Sequence, residues 1–379
     1  MSSADPGPPT VPAWPPAPGA RRAGGAGPRR WRRAAVIVGA VVAIVGLVGL
    51  AGTVIRVPYV IIAPGEAAPV GPTITVTGAR TYPHRDDVLF VTVSIYGASA
   101  RPSLWRYLAA RADPDTEVLR EDRYLGGQSR RVVRRDAVRD MVLSQQEATT
   151  AALRRLGYRV EARGKGARVL DVVPGSPAAG RLRPGDVIVA LDGRPIRLNS
   201  ELGPAIRSRP AGTVFRLGIR RGKRSLDVRV RSALAPSGDL RGRPYLGILT
   251  ETVDPGFDLP FEVRIDPGDV SGPSAGLAFA LTLIDKLSPG ALTGGRLVAV
   301  TGTVGADGRV GEVGGVPQKT VAARRAGATL FLVPAAEVGQ ARAEAGTRMR
   351  VVGVRTLDDA LDALRRAGGA PVREVAPAA

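Results

Sequence analysis

The apolar positions of this chain fall into distinct rhythms. Over residues 34–55 they are continuous, and no charge interrupts them. That run slightly exceeds the ~20 residues a helix needs to cross a bilayer. Arg29, Arg30, Arg32 and Arg33 precede it and only Arg56 follows closely. The positive-inside rule therefore predicts a cytoplasmic N-terminus and puts everything after residue 56 outside. A cleaved signal peptide is the competing reading. Against it, the run is long for one, and Ala51-Gly52-Thr53 is followed by more apolar chain. Over 57–98 β-branched residues alternate with polar ones, at 57–62, 73–76 and 88–93, which predicts strands between Gly and Pro turns. Residues 103–156 carry helical periodicity, and the Arg-rich stretch 134–155 reads as a solvated helix face. The period then returns to two. Strands are expected at 169–173, 187–191, 214–219 and 226–230, with an Asp192-Gly193 hairpin turn and a helix at 199–208. After residue 240, strands at 297–301, 308–310 and 329–333 alternate with helices at 274–286, 319–326 and 356–366.

These shifts predict a multidomain α+β chain. A tail at 1–33, made of Pro, Gly, Ala and Arg, cannot bury a core and is expected to be disordered. A transmembrane helix at 34–55 and a β-rich membrane-proximal region at 56–150 follow. A small β domain at 151–235, an α+β domain at 240–366 and a loose tail at 367–379 complete the chain. The pattern leaves open whether the strands of 57–98 complete the sheet of the last domain. A length of 379 residues with 44% hydrophobic content supports more than one core.

The net charge of +20 changes the picture less than its size suggests. The arginines cluster in the N-terminal tail, at 130–139 and at 220–231, rather than in one patch. Aromatic residues make up 4%, too few for a base-stacking platform, so nucleic acid is not expected as a partner. An anionic membrane surface or cell wall suits the charge better. The Arg, Ala, Gly and Pro bias also matches a GC-rich genome. With no cysteine, disulfides and thiol chemistry are excluded and any redox compartment is allowed. His84 is the sole histidine, so neither a metal site nor a cofactor is expected.

The candidate chemistry lies in Gly268-Asp269-Val270-Ser271-Gly272-Pro273-Ser274-Ala275-Gly276-Leu277. A strand-like 263–265 and glycines precede Ser274, and small apolar residues at helical density follow it. Ser274 is thereby expected where a loop enters a buried helix. Free N–H groups and the helix dipole there favour an alkoxide and an oxyanion. Such a serine needs a base, and without a histidine nearby, carboxylates and lysine remain. The lysines are Lys165, Lys223, Lys286 and Lys319; nearly every other cation is arginine, which does not give up its proton. Lys319 falls in the first turn of an apolar-faced helix after the glycine turn 311–315.

These blocks, with Thr301-Gly302-Thr303 between them, resemble the proteolytic domain of Lon over about 245–334. The resemblance implies a Ser-Lys dyad with Ser274 as nucleophile and Lys319 as base. Thr301 falls on the threonine that hydrogen-bonds the lysine, and Gly272, Pro273 and Ala275 on the supporting loop. Ser271 departs from the pattern, which usually has glycine there. Residues 157–233 resemble a PDZ domain through 169–178 and 182–193. Leu156-Gly157-Tyr158-Arg159 resembles its carboxylate-binding loop weakly. A domain used for packing is the plain alternative to peptide binding. Gly314-Gly315-Val316-Pro317-Gln318-Lys319-Thr320 imitates a phosphate-binding loop, but its spacing and Gln318 fail, so no ATPase is read. Together these features resemble the PDZ-containing Lon-like (YlbL-type) serine proteases of Gram-positive bacteria and actinobacteria. That resemblance implies an ATP-independent, single-pass membrane endopeptidase with its catalytic domain outside. Its substrates would be peptides or proteins, secreted or membrane proteins among them, and an oligomer is compatible with it. A non-catalytic PDZ scaffold or envelope adaptor is the alternative; the intact Ser274, Lys319 and Thr301 set argues against it.

Overall fold

The computed structural model describes residues 28–85, 87–237 and 240–374. The expected disordered tail lies outside them up to residue 27. Two compact units form. Among the described residues, the first holds 28–56 and 103–105, and the second holds the remainder from residue 57 onward.

In the first unit, α1 (Pro28–Val54) contains the expected apolar run. Its Trp31–Val54 portion has a mean hydropathy of 2.8 and is long and apolar enough to cross a membrane. Trp105 donates its indole N–H to the Gly49 carbonyl at 2.9 Å and lies over Gly52, where any side chain would displace the ring.

After α1 the chain continues with β1 (Tyr59–Pro69), β2 (Ile74–Thr77), β3 (Val88–Tyr96), α2 (Leu104–Ala112), β4 (Glu117–Arg120), α3 (Glu121–Leu125) and α4 (Arg130–Arg155). Next come β5 (Glu161–Arg163), β6 (Ala167–Val172), β7 (Val187–Leu191), β8 (Arg194–Pro195), α5 (Leu202–Arg207), β9 (Val214–Arg221) and β10 (Arg224–Arg231). They are followed by β11 (Ala233–Leu234), β12 (Pro244–Tyr245), β13 (Ile248–Thr252) and β14 (Gly256–Asp258). The chain closes with β15 (Glu262–Ile265), α6 (Gly276–Leu287), β16 (Val298–Val300), β17 (Thr303–Val304), β18 (Val310–Gly311) and α7 (Val316–Arg325). Last are β19 (Leu330–Pro334), α8 (Val338–Glu344), β20 (Arg350–Val354) and α9 (Leu357–Arg366). The sequence pattern had not marked α8 and β20.

The strands of 57–98 do not form a region of their own. β1 and β3 join β16, β19 and β20 in one six-stranded sheet of order β20-β19-β16-β3-β1-β4. The pleat decides the layers, because alternate residues point to opposite faces. Val88, Phe90, Val298, Val300, Leu330 and Leu332 pack with α4, α6 and α9 on one face. Val91, Ala299, Phe331 and Val333 pack with α7 and α8 on the other. α6 is buried almost throughout, and each large side chain such as Phe279 or Leu281 contributes about 1.5–3 kcal/mol.

The structure also corrects the reading of 134–155 as a solvated face. Arg131, Arg134, Arg135 and Arg139 are exposed, but Met141, Ser144, Ala148, Ala151 and Ala152 are buried. Their spacing of three and four residues forms one stripe. Small side chains along it let α4 lie close against α6.

A second core belongs to a sheet of order β10-β9-β7-β6-β13, with β8 paired to β7. Asp192 (φ 50°) and Gly193 (φ 83°) form the expected hairpin turn. This lobe is inserted between α4 and β15. Its strand β13 lies beyond residue 240, so the expected boundary between 235 and 240 falls inside the lobe. The tail after residue 366 is not loose at its start. The Ala370 N–H donates to the Ala291 carbonyl at 2.9 Å, and Val372 packs on the main core.

Candidate active site

Ser274 sits in a single turn of 3-10 helix, Pro273–Ala275, that leads into α6. Gly272 opens the turn at φ 95° and ψ 154°, a conformation that only glycine adopts without strain. Pro273 takes the first helical position, where no N–H is needed. The Ser274 N–H stands next, among the donors that a helix start leaves unpaired. Ser274 itself is half-buried and Ala275 is buried.

Four groups fix this turn from outside. The Gly272 N–H donates to the Ala137 carbonyl of α4 at 3.1 Å. The Ser144 hydroxyl donates to the Pro273 carbonyl at 2.9 Å. The Gly302 N–H, just past β16, donates to the Ser274 carbonyl at 2.9 Å. The Thr301 hydroxyl donates to that same carbonyl at 3.3 Å. Thr301 is therefore spent on the Ser274 backbone, not on Lys319 as the resemblance implied.

Lys319 comes from the other face of the sheet. Gly315 (φ 69°) turns the chain into α7, and Lys319 stands in its first turn with its N–H on the Gly315 carbonyl at 2.9 Å. The side chain is 3% exposed and has no hydrogen-bond or ion-pair partner among the described residues. Val316 and Val321 are buried beside it on the helix. Burial pulls the ammonium down to about 8, and the Glu337 carboxylate pushes partly the other way. The positive end of α7 also disfavours a cation there. No hydrogen bond joins Ser274 Oγ to Lys319 Nζ in this conformation. Such bonds tighten with substrate in place.

Sequence reasoning missed Glu337. It is 7% exposed, and both its oxygens accept the Val313 N–H at 3.2 Å, holding the loop that leads to Gly315. Burial raises its proton affinity, and Lys319 lowers it. Only the packing of α8 against α7 makes the two neighbours.

The tentative peptide-binding residues lie elsewhere than expected. Leu156 caps the end of α4 and is fully buried in the main core, where Tyr158 also packs, edge-on to Phe261 at 5.2 Å. Gly157 (φ 88°) only turns the chain between them. One edge of the small sheet is instead β13, entered through Tyr245-Leu246-Gly247. Gly247 (φ 77°) gives its carbonyl to Val173, and a Cβ there would overlap Ser176. At the far end Asn199 donates to the Thr250 carbonyl at 3.0 Å, so that edge faces the 199–207 helix. The same glycine-centred pattern was visible in the sequence, but it follows the other strands of the lobe instead of preceding them.

The fold and site define a proteolytic domain of the Lon type interrupted by a PDZ domain. Residues 264–365 match the Lon protease (S16) C-terminal proteolytic domain family and residues 155–231 the PDZ domain family. The chain thus has the domain combination of PDZ-containing Lon-like proteases. It is 36% identical over 124 residues to Lon protease of Clostridioides difficile, covering 31% of this chain and 16% of that protein. It is 44% identical over 59 residues to the magnetosome formation protease MamE of Paramagnetospirillum magneticum, covering 15% and 8%. A crystal structure of the PDZ domain of an SdrC-like protein from Listeria innocua aligns at 29% identity and TM-score 0.21, covering 22% of this chain and 92% of that one. The chain spans less than a fifth of the length of the curated Lon proteases it matches.

Proposed function

We propose that this protein is a membrane-anchored serine endopeptidase that works with a Ser274-Lys319 dyad and without ATP. The observation that carries the reading is the buried, unpaired Lys319, held near neutrality in a chain that writes almost all its other cations as arginine. Neutral Lys319 takes the Ser274 hydroxyl proton as Oγ attacks the peptide carbonyl. The oxyanion forms against the Ser274 N–H at the helix start. The lysine then returns the proton to the leaving amine, and in the second step it activates water on the acyl-enzyme. A fluorophosphonate should therefore form a covalent adduct with Ser274, located by mass spectrometry. A parent protein that stays unlabelled, or a Ser274→Ala variant that labels equally, would remove the nucleophile.

Glu337 tunes this base. Its carboxylate favours the protonated form of Lys319, with Glu312 the next acid on the same loop. In Glu337→Gln the acid limb of the kcat/KM profile should move to lower pH, because the amine then loses its proton more readily. An unmoved limb would show that Glu337 only holds the Val313 loop.

The β13 edge is proposed to capture polypeptide C-termini by strand addition, and α1 to span the membrane with the catalytic domain outside. Deleting residues 1–55 should release an active protein into the soluble fraction. Retention of that fragment on membranes would call for a second anchor.

A further inference from the structure

Near its C-terminal end, α1 carries a notch of small residues. Gly52 is buried and Gly49 and Ala51 are half-buried, whereas Leu47, Leu50, Val54 and Ile55 around them are exposed. Trp105 covers this notch, although 56 residues separate it from Gly49. Its indole N–H donates to the Gly49 carbonyl at 2.9 Å, and a Cβ on Gly52 would overlap the ring. The rest of the ring is open, and Trp105 is 43% exposed.

The backbone beside the ring is satisfied without water. A helix leaves its last carbonyls and its first N–H groups unpaired. Here two helix ends supply each other. The Leu104 N–H, in the first turn of α2, donates to the Ile55 carbonyl just past α1 at 3.0 Å. Ser103 forms a bridge with Arg56 alongside. Ser103, Leu104 and Trp105 bring no charge that would oppose transfer into an apolar layer.

The depth of this seat follows from α1. Its apolar portion Trp31–Val54 has 24 residues, and at ~1.5 Å per residue it is about 36 Å long. The hydrocarbon core of a bilayer is ~30 Å thick. Gly49 stands five residues before Val54, so on a centred span it lies about 4–5 Å inside the apolar layer. An indole at that depth needs a partner for its N–H, because an unpaired polar group in lipid is costly. The Gly49 carbonyl is that partner. In water the open ring would instead join Leu50, Val54 and Ile55 in one exposed apolar patch. We propose that Trp105 is an interfacial anchor for α1, seated at the boundary of headgroups and acyl chains with its indole N–H on Gly49 and its open face against lipid. This seat rests on the reading of α1 as a membrane span. It leaves with α1 when residues 1–55 are deleted, so that fragment is still expected to be soluble.

Trp14, Trp31 and Trp105 are the only tryptophans of the chain, so fluorescence can isolate each end of the span. Full-length protein with Trp14→Phe and Trp31→Phe reports on Trp105. Trp14→Phe with Trp105→Phe reports on Trp31, at the other end of α1. Each is reconstituted in phosphatidylcholine–phosphatidylglycerol vesicles whose acyl chains carry bromine near the headgroup end or near the tail end. Trp105 emission should be quenched more by the shallow bromines than by the deep ones, and should be protected from iodide in the water. Gly52→Leu, added to the Trp105 reporter, should evict the ring, with loss of bromine quenching and gain of iodide quenching. Leucine suits a membrane helix, so this variant should still insert. Bromine quenching of Trp31 with a Trp105 that answers only to iodide would overturn the anchor and keep the span. Absence of bromine quenching at both positions would dismiss the span and the anchor with it. Quenching of Trp105 unchanged by Gly52→Leu would show that the indole is not seated on the notch, which also overturns the proposal.

Discussion

Lys319→Arg is expected to abolish peptide turnover, with kcat/KM falling about 10²–10⁴-fold, the range that a positioned general base supplies. The guanidinium keeps its proton at any accessible pH, so it cannot take one from Ser274. The structure adds a cost in stability. The drop from 10.5 to about 8 corresponds to roughly 3 kcal/mol against the charged form in this pocket. Arginine cannot escape that cost by deprotonating. Lys319→Met separates the two effects, since it fills the pocket without charge and should be inactive yet as stable as the parent or more so. The linkage has a definite sign. The folded pKa lies below the unfolded one, so the unfolded chain binds more protons between about 8 and 10.5. Across that window the parent should gain stability with rising pH relative to Lys319→Met. Its rate should rise with pH through about 8. Active Lys319→Arg protein would rule out the dyad and leave Ser274 in need of another base.

Gly276→Val should also silence the enzyme, through geometry rather than chemistry. A Cβ at Gly276 would stand 2.6 Å from the Ser144 hydroxyl and 3.2 Å from the Val304 backbone nitrogen. The hydroxyl can rotate away, but it then releases the Pro273 carbonyl and with it one of the ties on the Ser274 turn. The branched methyls of valine meet the β17 backbone, which cannot yield as cheaply. Overpacking of this kind costs about 1–3 kcal/mol, and a displacement near 1 Å at the nucleophile can cost about 10²-fold in rate. Gly276→Ala should lose less, and adding Ser144→Ala should restore part of its stability but not the tie to Pro273. Thermal melting and fluorophosphonate labelling rates on the same samples distinguish these effects. Full activity in Gly276→Val would show that the turn is not held from α4.

The sequence by itself determined the elements that carry the chemistry. A glycine-rich loop before a small, apolar helix can only place Ser274 at a buried helix start, because Gly272 supplies the positive φ and Pro273 needs no donor. A lysine in the first turn after Gly315 was equally legible, as were the hairpin at Asp192-Gly193 and the α1 run. What lies far apart in the chain had to be decided by tertiary structure. β1 and β3 belong to the six-stranded sheet because Phe90 and Val91 find matching faces beside β16. The Arg-rich α4 is half core because its small residues meet α6, which no local charge pattern reveals. Glu337 approaches Lys319 only through the packing of α8 on α7. Leu156 was drawn into the main core, and β13 took one edge of the PDZ sheet, because the lobe closes its sheet with a strand that follows all its others. Local pattern encodes backbone conformation and the buried face, whereas which faces meet is settled by long-range burial.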